Sequence, residues 1–334
     1  MGGNMKWSIL VAALLLIFAA GPGLSASGND LQRVEAVEDL SISTNGSDVT
    51  LSWSPVAEAT EYKVYSSVSA EGEFSEDANG VFSGASWTAL ASGSRRFYQV
   101  TALIDVAPEG FAFVEGGTIN PPDGHYTGGL SVGSFHIGKY EVTNFEWNAV
   151  MGYGEPDTYP HGDTWCYIIV YCNQRSIQEG LSPCYSHTTY GTDPDDWPPW
   201  FLIYGQDHNI SCDWSATGYR LPSDAEWEFA ARGGLNTNGC TYSGSNDLNE
   251  VGWYVENSGF AVHQVGQLAP NELGAFDMSG NFWEWCWDEF GTNARVIRGG
   301  CFGNSHTSCA VSFRSGAGPV KYGNIGFRVC RTSP

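Results

Sequence analysis

Two hydrophobic periodicities divide the chain. Between residues 31 and 105, apolar and polar positions alternate in short runs: Val49-Thr50-Leu51-Ser52-Trp53 ends at Pro55, and Tyr62-Lys63-Val64-Tyr65 and Arg96-Phe97-Tyr98-Gln99-Val100-Thr101 repeat the pattern across Gly- and Ser-rich stretches. A period of two turns one face of each run towards a core, which predicts an all-β unit. After a short Pro-containing link at residues 106–110, helical signals appear. Thr143-Asn144-Phe145-Glu146 is a capping box, in which the Thr143 hydroxyl accepts from the backbone of Glu146 while the Glu146 carboxylate reaches back; Trp147 and Val150 give an apolar face and Gly152 a stop. A second helix is predicted from about residue 166 to 179, with Ile169, Cys172 and Ile177 as core positions. Ser223-Asp224-Ala225-Glu226 is another capping box, preceded by Pro222, with Trp227 and Ala230-Ala231 as its body and Gly233 as its end. The rest reads as short strand and long loop. At the end, Arg295-Val296-Ile297-Arg298 and Ile325-Gly326-Phe327-Arg328-Val329 are strand-like and bracket a glycine-rich middle, a rigid frame around a loop suited to contact.

Composition adds an address and narrows the partners. With 334 residues, 42% hydrophobic and 14% aromatic, the chain can build two cores. Residues 1–26 read as a secretory signal: Lys6 is a basic start, residues 9–20 are apolar, and Gly21-Pro22 breaks the helix before small residues ending at Ala26. That run is too short to span a membrane, and no cysteine follows it to carry a lipid. The mature chain is therefore expected to be secreted, periplasmic or on the cell surface. Removing Lys6 changes the net charge from −22 to −23. Such a field repels phosphate backbones and anionic lipid, so nucleic acid and membrane are poor candidates for partners, while calcium, cationic ligands and proteins stay open.

All nine cysteines fall between Cys166 and Cys330. An exported chain permits disulfides, but an odd number leaves one thiol over, and connectivity is not readable from spacing. There is no CxxC and no His/Cys cluster with zinc spacing, and the seven histidines are scattered.

Four blocks carry a family resemblance: YRLPSDAEWEFAARGG at residues 219–234, PNELGAFDMSGNFWEWCWD at 270–288, RVIRGG at 295–300 and GFRVCR at 326–331. Together they resemble the formylglycine-generating enzyme, or sulfatase-modifying factor, domain. This implies an α+β chain in which residues 107–332 form a C-type-lectin-like fold with few helices and many loops. Residues 31–105, with a Trp closing one strand, a YxVY strand and a later FYQVTAL strand, resemble the fibronectin type III sandwich, which implies a spacer or binding module. The family's calcium loop matches Asp277 and Glu284 as carboxylate ligands, with backbone carbonyls near Met278, Gly280 and Phe282, and calcium takes oxygen ligands of this kind. A second calcium region at residues 249–257 matches too loosely to carry ligands over.

Enzymes of this family resemble copper-dependent oxidases that convert a substrate cysteine to formylglycine with two cysteines separated by four residues, since two thiolates grip Cu(I). Here the first position is Asn304 and the second Cys309; the residue after the glycine pair is Cys301. Asn304 cannot be a thiolate, so copper is not expected, and Cys309 would be catalytic only if the chain were an enzyme. A histidine-rich iron site and a Ser/His/Asp nucleophile motif are both missing from the sequence. The expectation is a non-catalytic protein that binds a protein or glycan; the alternative is a formylglycine-generating oxidase acting on a cysteine of a sulfatase-like protein. The loop also resembles those of the variable proteins of diversity-generating retroelements, in which Asn codons are randomised. Between Cys301 and Gly326, only Lys321 belongs to the residues such randomisation excludes. Phe302, Asn304, Ser305, His306, Thr307, Phe313, Val320 and Tyr322 would then contact the ligand, together with Trp283 and Arg314.

Overall fold

The structure is a computed structural model that describes residues 32–37, 39–45, 47–56, 59–90, 96–105, 107–121, 128–198 and 209–333. The signal sequence expected at residues 1–26 lies outside them. The chain divides into two compact units, Met1–Val106 and Ala107–Pro334.

The first unit is all-β. One antiparallel sheet runs in the order Gln32–Ala36, Phe97–Asp105, Ala59–Ser67 and Ser75–Glu76; the other in the order Ser41–Asn45, Asp48–Ser52, Ser86–Leu90 and Val81–Phe82. The alternation explains the faces. Val49, Leu51, Trp53 and Trp87 from the second sheet are buried with Val64 and Val100 from the first, while Thr50 and Thr88 pair on the outer face through their hydroxyls at 3.0 Å.

In the second unit both capping boxes form as the sequence predicts. Helix α1 (Asn144–Met151) starts at Thr143 and ends at Gly152, and Trp147 is its buried residue. Helix α2 (Trp165–Gln178) starts at Thr164, whose hydroxyl accepts from the Tyr167 backbone. Helix α3 (Asp224–Ala231) starts at Ser223 with both reciprocal bonds to Glu226 in place. One expected core position fails. Ile169 and Cys172 of α2 are fully buried, but Ile177 is 44% exposed. Ser176 turns inwards instead, donating to the Cys172 carbonyl at 2.6 Å and accepting from the Tyr219 backbone at 2.8 Å, so the next residue falls on the solvent side.

Two small sheets hold the unit together. Phe135–Gly138 lies between Cys330–Thr332 and Phe111–Val114, which joins the start of the unit to its end. A four-stranded sheet follows the order Arg314–Ala317, Arg295–Arg298, Trp283–Glu289 and Ile325–Gly326. The strands expected on either side of the C-terminal loop are thus in one sheet. Trp165, Tyr171, Trp147, Trp285 and Phe327 fill the core on one side, and Trp227, Phe229, Met278 and Val296 on the other.

Candidate functional site

The C-terminal loop is fixed by groups other than its own exposed side chains. Arg298, fully buried, ion-pairs with Asp224 at 2.5 Å and Glu228 at 2.8 Å on α3, and its Nη1 donates to the carbonyls of Val311 at 3.2 Å and Phe313 at 3.3 Å. Both ends of the segment 299–313 are thereby closed on one guanidinium. Along its course the Phe302 carbonyl accepts from the Ser258 hydroxyl at 2.8 Å, the Asn304 carbonyl from the Val255 backbone at 3.0 Å, and the Val311 backbone donates to Thr241 at 3.0 Å. Gly300 has a positive φ of 73°, and a Cβ there would stand 2.8 Å from the Cys309 sulfur, so the chain turns tightly over that thiol.

The two copper positions of the family are occupied very differently. Asn304 Oδ1 accepts from the Cys301 backbone at 3.1 Å and from the Cys301 thiol at 3.0 Å, and the Asn304 backbone donates to the Cys301 carbonyl at 2.8 Å. Its amide is thus a turn lock. Cys309 is fully buried beside Leu248, Val251 and Tyr254, and burial, with Cys301 nearby as a smaller influence, pushes its thiol up to about 12. Burial also raises the thiol of Cys301. Cys172, Cys184, Cys212, Cys240, Cys286, Cys301, Cys309 and Cys330 are free thiols.

The remaining expected contact residues separate into two groups. Ser305, His306, Thr307, Phe313, Val320 and Tyr322 are exposed, and Phe302 is half-buried against Phe282 at 6.2 Å between ring centroids. Trp283 is packed on Phe313 and nearly buried, and Arg314 ion-pairs with Asp224 at 2.8 Å while lying over Phe290. Trp283, Asn304 and Arg314 are thus engaged within the protein, by Phe313, Cys301 and Asp224 respectively.

Asp277 and Glu284 meet in a buried ionic cluster with Glu141 and Arg328. Glu284 accepts from Arg328 Nη2 at 2.6 Å and Nε at 2.7 Å, and also from Trp227 Nε1 at 2.7 Å. Glu141 accepts from the Phe282 backbone at 3.0 Å and Asn281 Nδ2 at 2.7 Å. Asp277 Oδ2 accepts from the Gly266 backbone at 2.6 Å, whereas its Oδ1 is buried with no hydrogen-bond partner. Three carboxylates thus face one guanidinium. Burial is the main reason that the Asp277 carboxyl rises to about 6, against the Gly266 hydrogen bond and Arg328; burial, then Asp277 and Glu284, raise Glu141 well above the usual range. Among the described residues no three His, Cys, Asp or Glu side chains converge as a metal site. The orphaned Asp277 oxygen and the surplus negative charge fit a cation, with Asp277 as the open carboxylate. Both Glu284 oxygens are engaged by Arg328, and one of them also by Trp227.

Sequence reasoning missed a neighbouring cavity of about 410 Å³, lined by Asn144, Asp157, Tyr159, His161, Phe282 and Tyr322 among others. Its walls come from the segment after α1, the Asp277–Glu284 turn and the end of the C-terminal loop. No spacing within one segment announces it, because it forms only where Gly162 lets these segments close: a Cβ there would lie 2.6 Å from the Gly323 carbonyl.

Residues 106–333 match the family described as the sulfatase-modifying factor enzyme 1-like domain, more than half of the chain. The chain belongs to this family. Among relatives of the sulfatase-modifying-factor domain, it is 36% identical over 260 residues to the chaperone protein LppX of Paenibacillus barcinonensis, covering 66% of this chain and 88% of that protein. It is 34% identical over 146 residues to the formylglycine-generating enzyme of Streptomyces coelicolor, a match spanning 33% of this chain and about half, 46%, of that enzyme. Among solved structures it is similar to Treponema denticola variable protein 1, with a TM-score of 0.56 and 27% identity over 73% of this chain and 98% of that one. The mixed α+β unit with few helices and several small antiparallel sheets matches the fold of that Treponema protein.

Proposed function

We propose that this chain is an exported, non-catalytic binding protein that presents its ligand-contacting loop on the sulfatase-modifying-factor domain. The state of the two copper positions carries the reading. Holding Cu(I) for oxidation takes a pair of accessible thiolates, and here one partner is an asparagine amide locked on Cys301 while the other is a buried thiol raised to about 12. The exposed Ser305, His306, Thr307 and Tyr322 on a fixed main chain supply adaptable polar and aromatic contacts in their place. The ligand is a protein or a glycan; the chaperone name of the Paenibacillus relative supports a protein. The first unit acts as a spacer with a fibronectin type III-like arrangement, and the signal at residues 1–26 directs export. Calcium stabilises the cluster at Asp277, with backbone carbonyls near Met278, Gly280 and Phe282 completing its oxygen set. Among the described residues no helix is long and apolar enough to cross a membrane.

Titrating the protein with Cu(I) and assaying a Cys-containing peptide for aldehyde tests this. The expected result is no turnover; turnover that disappears in Cys309→Ser overturns it. A second reading, that the loop is diversified, is supported by the likeness to the Treponema variable protein and by the exposed loop positions on a main chain held from outside. An Asn-rich near-copy of the segment beside a reverse transcriptase gene would support it, and flanking DNA without one would remove it.

A further inference from the structure

We infer that the cavity beside the C-terminal loop is a subsite for an uncharged pyranose, a sugar unit of the ligand; this rests on the binding reading above and gives its ligand a chemical class. The cavity is open and shallow, and its volume of about 410 Å³ is in the ~300–1,000 Å³ range of small-molecule sites. Its two sides differ in chemistry. On the polar side, Asn144 Nδ2 donates to Asp157 Oδ1 at 2.9 Å, and His161 Nδ1 lies 2.8 Å from Asn144 Oδ1. Because the Asn144 amide nitrogen is spent on Asp157, its oxygen faces the imidazole, so His161 Nδ1 is the donor. The relay links three side chains: His161 also stacks on the buried Trp147 at 4.0 Å between centroids, and the Tyr159 backbone donates to Asp157 Oδ1 at 3.1 Å. Asp157 Oδ2 takes no part in the relay, while His161 Nε2 is buried and lies 3.6 Å from the Asp163 carboxylate. The polar side therefore offers the Asp157 carboxylate as acceptor to a ligand that brings donors, as hydroxyls do.

The other side is aromatic. Tyr322 is 71% exposed at the rim, Tyr159 is exposed next to it, and Phe282 forms the base. A ring with an apolar C–H face and hydroxyls around its edge meets both sides at once: the face lies on an aromatic ring and the edge hydroxyls reach the acceptors. Charge decides against anionic ligands, because Asp157 in the lining repels them. Gly162 is part of the construction, since a Cβ there would stand 2.6 Å from the Gly323 carbonyl and 2.9 Å from the Phe282 ring.

Saturation-transfer NMR of the full chain with maltotriose, cellotriose, chitotriose and mannotriose tests the inference, with thermal melting to confirm that each variant folds. At least one trisaccharide is expected to bind, and Tyr322→Ala and Asp157→Asn are each expected to weaken it at least tenfold. Binding by none of the four, binding unchanged in both variants, or full competition by an arginine-rich peptide would overturn the sugar subsite while leaving the non-catalytic reading standing. That reading fails separately, through aldehyde formation on a Cys-containing peptide.

Discussion

The guanidinium of Arg298 lies 3.3 Å from the carbonyl oxygen of Phe313, fifteen residues further along the chain, and so ties the middle of the contact loop to α3. The same group neutralises Glu228 and Asp224 in a site with no solvent access. Removing one partner from a buried ion network leaves charge uncompensated, which costs about 3–5 kcal/mol. Arg298→Met is expected to lower unfolding stability by that order in urea titration and to speed amide exchange between residues 299 and 313. Arg298→Lys should recover only part, because an ammonium cannot reach two carboxylates and two carbonyls from one planar fork.

Cys309 makes a second prediction. A free thiol is about half ionised near pH 8.5, whereas one raised to about 12 is ionised ~1,000-fold less at that pH. Iodoacetamide at pH 8.5 is expected to label the half-buried Cys240 first and to leave Cys309 unmodified until the chain is unfolded, as read by peptide mass spectrometry. Rapid labelling of Cys309 in the folded protein would remove the main physical reason for ranking binding above oxidation.

Much of this architecture is legible without coordinates, and the rest is missing for identifiable reasons. Thr143 with Glu146 and Ser223 with Glu226 mark helix starts because both members of each reciprocal bond lie within one turn. Alternation at Val49, Leu51 and Trp53 reports a buried face for the same local reason. Ile177 misleads because the choice between it and Ser176 is made by the Tyr219 backbone, 43 residues away. Glu284 looks like a free ligand until Arg328 arrives, and Arg314 until Asp224 does. The cavity is the extreme case: Asn144, His161, Phe282 and Tyr322 come from segments that the sequence separates by more than 170 residues, and their meeting depends on a missing side chain at Gly162.

Restoring the missing sulfur tests the loop directly. Asn304→Cys gives two thiols separated by four residues, as in the oxidases the family resembles, but also deletes the bonds from Asn304 Oδ1 to Cys301. The lost turn lock should cost about 1 kcal/mol, visible as a small fall in the denaturation midpoint. Cu(I) affinity, measured by competition with a chromogenic chelator, is expected to rise at least tenfold over the parent chain. No change in affinity would mean that burial of Cys309, and not the asparagine, is what disarms the site.

The cluster at Asp277 gives the pH prediction. Its carboxyl is raised from an ordinary 3.8 to about 6 by burial, so between those values the folded chain binds more protons than the unfolded one. Stability without calcium should therefore fall as pH rises through that window, by about 3 kcal/mol for a shift of this size acting alone. A divalent cation at Asp277 Oδ1 replaces the proton and cancels the loss, so its effect must grow in the same direction. Adding calcium after treatment with a chelator is expected to raise Tm clearly at pH 7.5 and little at pH 5. Asp277→Asn, which keeps the shape and removes the charge, should abolish the calcium shift and flatten the pH dependence together. A calcium-induced shift of equal size at both pH values, or one that survives in Asp277→Asn, would place the cation elsewhere in the chain.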